Sequence, residues 1–154
     1  MSKTYLYRED EIKLGLDATQ ASYLAGVIDG EGHIRVNRRG RGTPGESLYP
    51  EVVVTNTHRG LVSWLLDNVG GTAYTKARPD SSKRTKECYG IVWTCSIAVA
   101  VLRAVYPYLV VKKNEARMLL GWRNAERRCL VEAGQKRFGS RRKAPVWLLV
   151  QREL

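Results

Sequence analysis

Glu31 stands between Gly30 and Gly32, directly before an alternating run with His33, Arg35, Asn37 and Arg39 on one face and Ile34, Val36 and Arg38 on the other. The period of two predicts a strand with one basic, amide-rich face. Its side chains suit guanine and adenine edges and phosphate oxygens. A carboxylate next to such a polyanion-binding surface is electrostatically unfavourable unless a cation accompanies it. Mg²⁺, which takes oxygen ligands and bridges carboxylates to phosphates, is the natural candidate. A second alternating run, Thr72 to Arg78, places Tyr74, Lys76 and Arg78 on one face. Together the two runs predict a basic saddle. A strand of about eight residues rises roughly 26 Å, and DNA advances about 3.4 Å per base pair. One such sheet could track roughly eight base pairs of major groove.

The elements that must carry these residues follow from patterning. Asp17-Ala-Thr-Gln20 has the form of a capping box and opens a helix through Asp29. Leu24, Val27 and Ile28 form its core side, whereas Ser22, Gly26 and Gly30, spaced by four, leave one face almost without side-chain bulk. A face of that kind allows a second helix to approach closely. GRGTPGES (40–47) is a turn, and Leu48 to Asn56 is the returning strand. The stripe Val62, Leu65, Leu66 and Val69 predicts a helix ended by Gly70-Gly71. Pro79 to Lys86 connects to a fourth strand, Glu87 to Cys95. Ser96 can cap Ile97 to Tyr106, whose β-branched content suits helix or strand. Lys112 to Cys129 reads as a helix with Val111, Met118, Trp122, Ala125 and Cys129 close to one stripe. A basic segment (134–143) and a short helix from Pro145, containing Trp147, Leu148 and Leu149, complete the chain. The order αββαββα followed by C-terminal helices describes an α+β layer whose antiparallel sheet keeps one face open.

Composition agrees. The 154 residues form one domain (1–154), with 26 Lys+Arg against 15 Asp+Glu and a net charge of +11. Residues 1–32 carry three basic and six acidic groups; the remainder carries 23 basic and nine acidic. Nucleic acid is the default partner for such an asymmetry. The longest apolar stretch, Ile97 to Val111, is broken by Arg103 and Pro107, too short for a bilayer span of about 20 residues. The N-terminus lacks an apolar signal core. Cys88, Cys95 and Cys129, without CxxC spacing, read as reduced thiols. The expected location is cytoplasmic or an organellar interior, not secreted and not membrane-bound.

Residues 24–32, Leu-Ala-Gly-Val-Ile-Asp-Gly-Glu-Gly, resemble the LAGLIDADG motif of homing endonucleases, with six of nine positions identical. The departures are Val27 for Leu, Gly30 for Ala and Glu31 for Asp, and Glu31 still supplies a carboxylate. The αββαββα order that follows strengthens the match. Single-motif members pair as homodimers, so the resemblance implies a homodimer joined along Ser22, Gly26 and Gly30. It implies an Mg²⁺-dependent double-strand break in a long, nearly palindromic duplex, with Glu31 and Gly30 at the metal.

Further positions carry over from the family. Lys112, after Pro107-Tyr108-Leu109-Val110-Val111, matches an active-site lysine. Asn56 matches a polar amide at the end of the second strand, where some relatives have glutamine. Arg59, with His58 as the alternative, matches a basic pocket residue. His33, Arg35, Asn37 and Arg39 match the base-reading strand, and Tyr74, Lys76 and Arg78 the third strand. Lys136, Arg137, Arg141, Arg142 and Lys143 suit a clamp on the DNA backbone. The resemblance leaves two alternatives open: an RNA maturase acting on a group I intron, with intron RNA as partner, or a regulator that binds DNA without cutting it.

Overall fold

The computed structural model describes residues 12–76 and 87–135, with side chains as far as residue 125. Helix α1 (Ala18–Glu31) leads into strands β1 (Gly32–Arg39) and β2 (Ser47–Asn56). Helix α2 (Arg59–Val69), strands β3 (Thr72–Lys76) and β4 (Cys88–Thr94), and helix α3 (Cys95–Val105) follow. A 3-10 turn (Tyr106–Tyr108) then leads to helix α4 (Lys113–Gln135). The αββαββα order stands, and the four strands form one antiparallel sheet in the order β1-β2-β4-β3.

Helix α1 begins as its first residues dictate. The Asp17 carboxylate accepts from the Gln20 amide at 2.8 Å, and the Gln20 side chain accepts from the Asp17 amide at 3.0 Å. At the other end the chain turns from helix to strand within one residue. A Cβ at Gly32 would come within 2.6 Å of the Ile28 carbonyl oxygen, so the junction that delivers Glu31 to β1 requires glycine.

The core lies between the helices and one face of the sheet. Leu24 and Ile28 of α1, Val52 and Val54 of β2, Ile91 and Trp93 of β4, Leu65 of α2, and Val101, Leu102 and Val105 of α3 are fully or almost fully buried. The Trp93 indole donates to the Gly70 carbonyl at 2.6 Å, so its single polar group is satisfied. Residues of the opposite strand parity face away from the helices, and this open face carries the saddle.

Packing corrects several local readings. Segment 97–106 is helical, because Ala98, Val99, Val101, Leu102 and Val105 all bury as α3. Its N-cap is Thr94, which makes no side-chain cap bond; Ser96 lies inside the helix and is buried. Leu66 points outward, leaving Val62, Leu65 and Val69 as the buried side of α2. In α4 the buried line is Ala116, Leu119 and Trp122, whereas Met118 is exposed, as is Val111 just before the helix. The helix from Pro145 lies outside the described residues. Among the described residues no helix is long and apolar enough to cross a membrane.

Candidate functional site

The C-terminal end of α1 gathers the chemistry. Glu31 and Gly30 are exposed there. One residue earlier, the Asp29 carboxylate accepts the backbone amides of Val110 and Lys112, each at 2.8 Å. The Lys112 ammonium donates to the Asp29 carbonyl at 2.5 Å. Lys112 is thus tied to Asp29, two residues before Glu31, and lies half-buried against the negative end of the helix dipole. Lys113 remains exposed, with its ammonium 5.4 Å from the centre of the Tyr106 ring.

Asp29 escaped the sequence reading. The available signal was an acidic residue in the last turn of a helix, where the dipole disfavours it and external donors must compensate. Burial raises its carboxyl, but the amides of Lys112, Val110 and Val111 and the Lys112 charge outweigh that and hold it below the usual carboxylate range. A folded-state value below the unfolded one contributes stability that is present above the unfolded value. That stability is lost as pH falls through the folded value, below about pH 4. Asp29→Asn is therefore expected to cost about 1–2 kcal/mol near neutrality and to flatten the acid limb of the stability curve. Urea melts at pH 7 and pH 3 measure both; an unchanged pH dependence contradicts this role.

Asn56 closes β2 beside this end, since Gly32, the first residue after Glu31, pairs with Val54. Its side-chain oxygen accepts from the His58 amide at 2.7 Å and shapes the entry to α2. Arg59 starts α2 and is exposed. The Tyr89 phenol is raised first by its hydrogen bond to Glu87, then by burial and the Glu87 charge, and the Arg59 cation acts against these. The structure joins Lys112 to the end of α1 by direct hydrogen bonds, ties Asn56 to the His58 amide, and leaves Arg59 exposed at the start of α2.

The open sheet face is set by register. His33 pairs with Val53, Arg35 with Glu51, Asn37 with Tyr49 and Arg39 with Ser47. Across the sheet Val53 pairs with Val92, which pairs with Thr72, while Gly90 pairs with Tyr74 and Cys88 with Lys76. His33, Arg35, Asn37, Arg39, Tyr74 and Lys76 therefore share one face. Arg39 lies over the Tyr49 ring at 5.3 Å. Tyr74 lies over Gly90 of β4: a Cβ there would sit 2.6 Å from its hydroxyl, so a larger residue would have to displace the ring. Glu51, unanticipated, is a buried carboxylate on this same face, bonded to both Arg35 and Asn37. Arg78, Lys136, Arg137, Arg141, Arg142 and Lys143 lie outside the described residues.

Ser22, Gly26 and Gly30 are exposed, and Cβ atoms built on the two glycines meet nothing within 4 Å. Val110 and Val111, which follow the turn held by Asp29, are 82% and 70% exposed. Among the described residues no three His, Cys, Asp or Glu side chains cluster to hold a metal. One chain offers the Glu31 carboxylate and the carbonyl groups ending α1, oxygen donors of the kind Mg²⁺ and Ca²⁺ take, but not a complete set.

No protein-family model matches the chain, and no curated protein matches it by sequence. Solved structures do match. The homing endonuclease I-CvuI, in complex with the I-CreI target and solved with Mg, superposes at a TM-score of 0.55 and 16% identity, covering 87% of this chain and 91% of that one. The archaeal intron-encoded homing endonuclease I-Vdi141I, complexed with DNA, gives 0.53 and 16%, covering 86% and 93%. The LAGLIDADG homing endonuclease I-GzeII, in complex with its DNA target, gives 0.50 and 10%, covering 69% and 36%. The chain has the LAGLIDADG homing endonuclease fold, as the motif at 24–32 and the element order had implied.

Proposed function

We propose that this chain is a homodimeric, site-specific DNA endonuclease of the LAGLIDADG homing type, cutting both strands of a long pseudo-palindromic duplex with the help of Mg²⁺. The observation that carries this reading is the junction at Gly32, where the motif helix hands an exposed Glu31 to the first strand of an uncovered basic face. Neighbours of the same fold are complexes with DNA targets, and two were solved with Mg or Ca.

In this reading two α1 helices pack along Ser22, Gly26 and Gly30 and bring both Glu31 carboxylates to the twofold axis. At about 4 Å and an effective dielectric near 20, two carboxylates repel by roughly 4 kcal/mol. Glu31 and the Gly30 carbonyl of each chain would hold divalent metal against the scissile phosphates. When bound, the metal activates the attacking water and offsets charge on the phosphate. Lys112 stabilises charge that develops on the phosphoryl group, Asn56 and Arg59 border the pocket, and the face from His33 to Lys76 sets register on the duplex.

The test is cleavage of a randomised duplex library by purified protein, with and without Mg²⁺. Recovery of one family of long, nearly palindromic cut sites only with metal supports the reading. Binding without cutting in any divalent metal would point to a regulator, and tight binding of group I intron RNA alone to a maturase; either overturns nuclease activity.

Gly26→Leu is expected to force the two motif helices apart. Sedimentation should show a monomer where wild type is a dimer, with double-strand cleavage reduced at least about tenfold. An unchanged dimer excludes this face as the interface.

A further inference from the structure

We propose that Glu51 is a positioning residue that fixes the Arg35 guanidinium with its free edge outward, so that Arg35 selects guanine; the inference rests on the DNA-binding reading above. Glu51 lies in β2 opposite Arg35 on the open face, yet its side chain is only 7% exposed against 47% for Arg35. One oxygen, Oε1, accepts from Arg35 Nε at 2.6 Å and also pairs with Nη2. The other, Oε2, accepts from Asn37 Nδ2 at 3.1 Å. Asn37 Oδ1 is itself occupied, accepting the Arg38 amide at 2.8 Å. Arg35 and Asn37 lie two residues apart, so one carboxylate braces two consecutive side chains of the same strand face.

Arg35 keeps the outward Nη1 and Nη2 hydrogens, all donors, whereas Asn37 keeps one Nδ2 hydrogen and the second lone pair of its Oδ1. Guanine presents two acceptors, N7 and O6, in the major groove and matches the free guanidinium edge of Arg35. Asn37, braced by the same carboxylate, is held beside that edge. Holding the guanidinium in one orientation also lowers the entropy lost on contact with the base.

The same arrangement could serve only to neutralise Arg35, so the experiment reads base preference. Duplexes bound by wild type, Arg35→Gln and Glu51→Gln are selected from a randomised library without divalent metal, so that binding is scored apart from cutting. Arg35→Gln identifies the base pair that residue 35 reads. Wild type should favour guanine there by roughly 5- to 150-fold, the range of one bidentate contact. Glu51→Gln removes the charge that holds Arg35 and places an amide donor against Asn37 Nδ2 or Arg35. Guanine preference should fall to within about threefold at the residue-35 pair. Preferences elsewhere in the site should be unchanged.

Retention of guanine preference by a folded Glu51→Gln protein, or losses spread evenly over the site, overturns the proposal. Should Glu51→Gln fail to fold, Glu51→Asp, which draws the carboxylate back from Arg35 by one methylene, reads the same quantity: a lowered guanine preference at the residue-35 pair supports the proposal and an unchanged one overturns it. An adenine or flat preference in wild type at that pair also overturns it. If wild type binds no duplex, the DNA reading itself fails and the inference with it. A bound duplex with no guanine preference sinks the inference alone.

Discussion

Glu31→Gln is expected to abolish duplex cleavage while leaving site binding intact or tighter. The substitution keeps nearly the same volume at an exposed position, so folding and the α1–β1 junction should be unaffected. It removes the one exposed carboxylate that the motif helix presents at its end, and with it the charge that would hold a divalent metal between protein and phosphate. Because that carboxylate stands beside a polyanion, its loss relieves repulsion with DNA and, across the proposed dimer axis, with the second copy's Glu31. Binding should therefore not suffer. Single-turnover cleavage and filter binding on the selected site measure both quantities. Cleavage within about tenfold of wild type would sink the assignment, and so would a parallel loss of binding, which would mean that Glu31 supports the interface instead of the chemistry.

Lys112→Ala should lower the single-turnover cleavage rate by roughly 10²–10³, the usual consequence of losing one electrostatic donor at a reacting centre. The structure separates this from a folding effect. Asp29 is held by the backbone amides of Val110 and Lys112, and both survive the substitution. Only the ammonium and its bond to the Asp29 carbonyl disappear. Affinity for the uncut site should fall far less than the rate. Lys113→Ala provides the comparison, since its side chain is exposed and rests near the Tyr106 ring; its rate should stay within about threefold of wild type. A large defect in Lys113→Ala with none in Lys112→Ala would shift the assignment by one residue. No defect in either would remove this lysine from the mechanism.

Much of the fold was legible because it rests on local chemistry. The Asp17–Gln20 capping box lies within four residues, and the alternation from His33 to Arg39 follows from the pleat alone. The glycine at position 32 makes a junction that its own neighbours demand. From such local rules came the element order, the open basic face and the motif that delivers Glu31. The same rules left segment 97–106 undecided between helix and strand, because β-branched residues fit either. Burial of six of its residues selected the helix.

Long-range register decided the rest. Glu51 sits in an apolar run, and nothing near it in sequence shows that it will face Arg35. The antiparallel pairing of β1 with β2 across the turn after Arg39 puts the two opposite each other. Likewise, Lys112 immediately precedes α4, where the dipole of its own helix opposes a cation. Its partner is the far end of another helix, 83 residues earlier at Asp29, where the dipole favours it. Met118 and Ala116 are indistinguishable by helical period until the sheet and α3 determine which side of α4 is covered. Periodicity specifies which residues share a face; only packing specifies what that face meets.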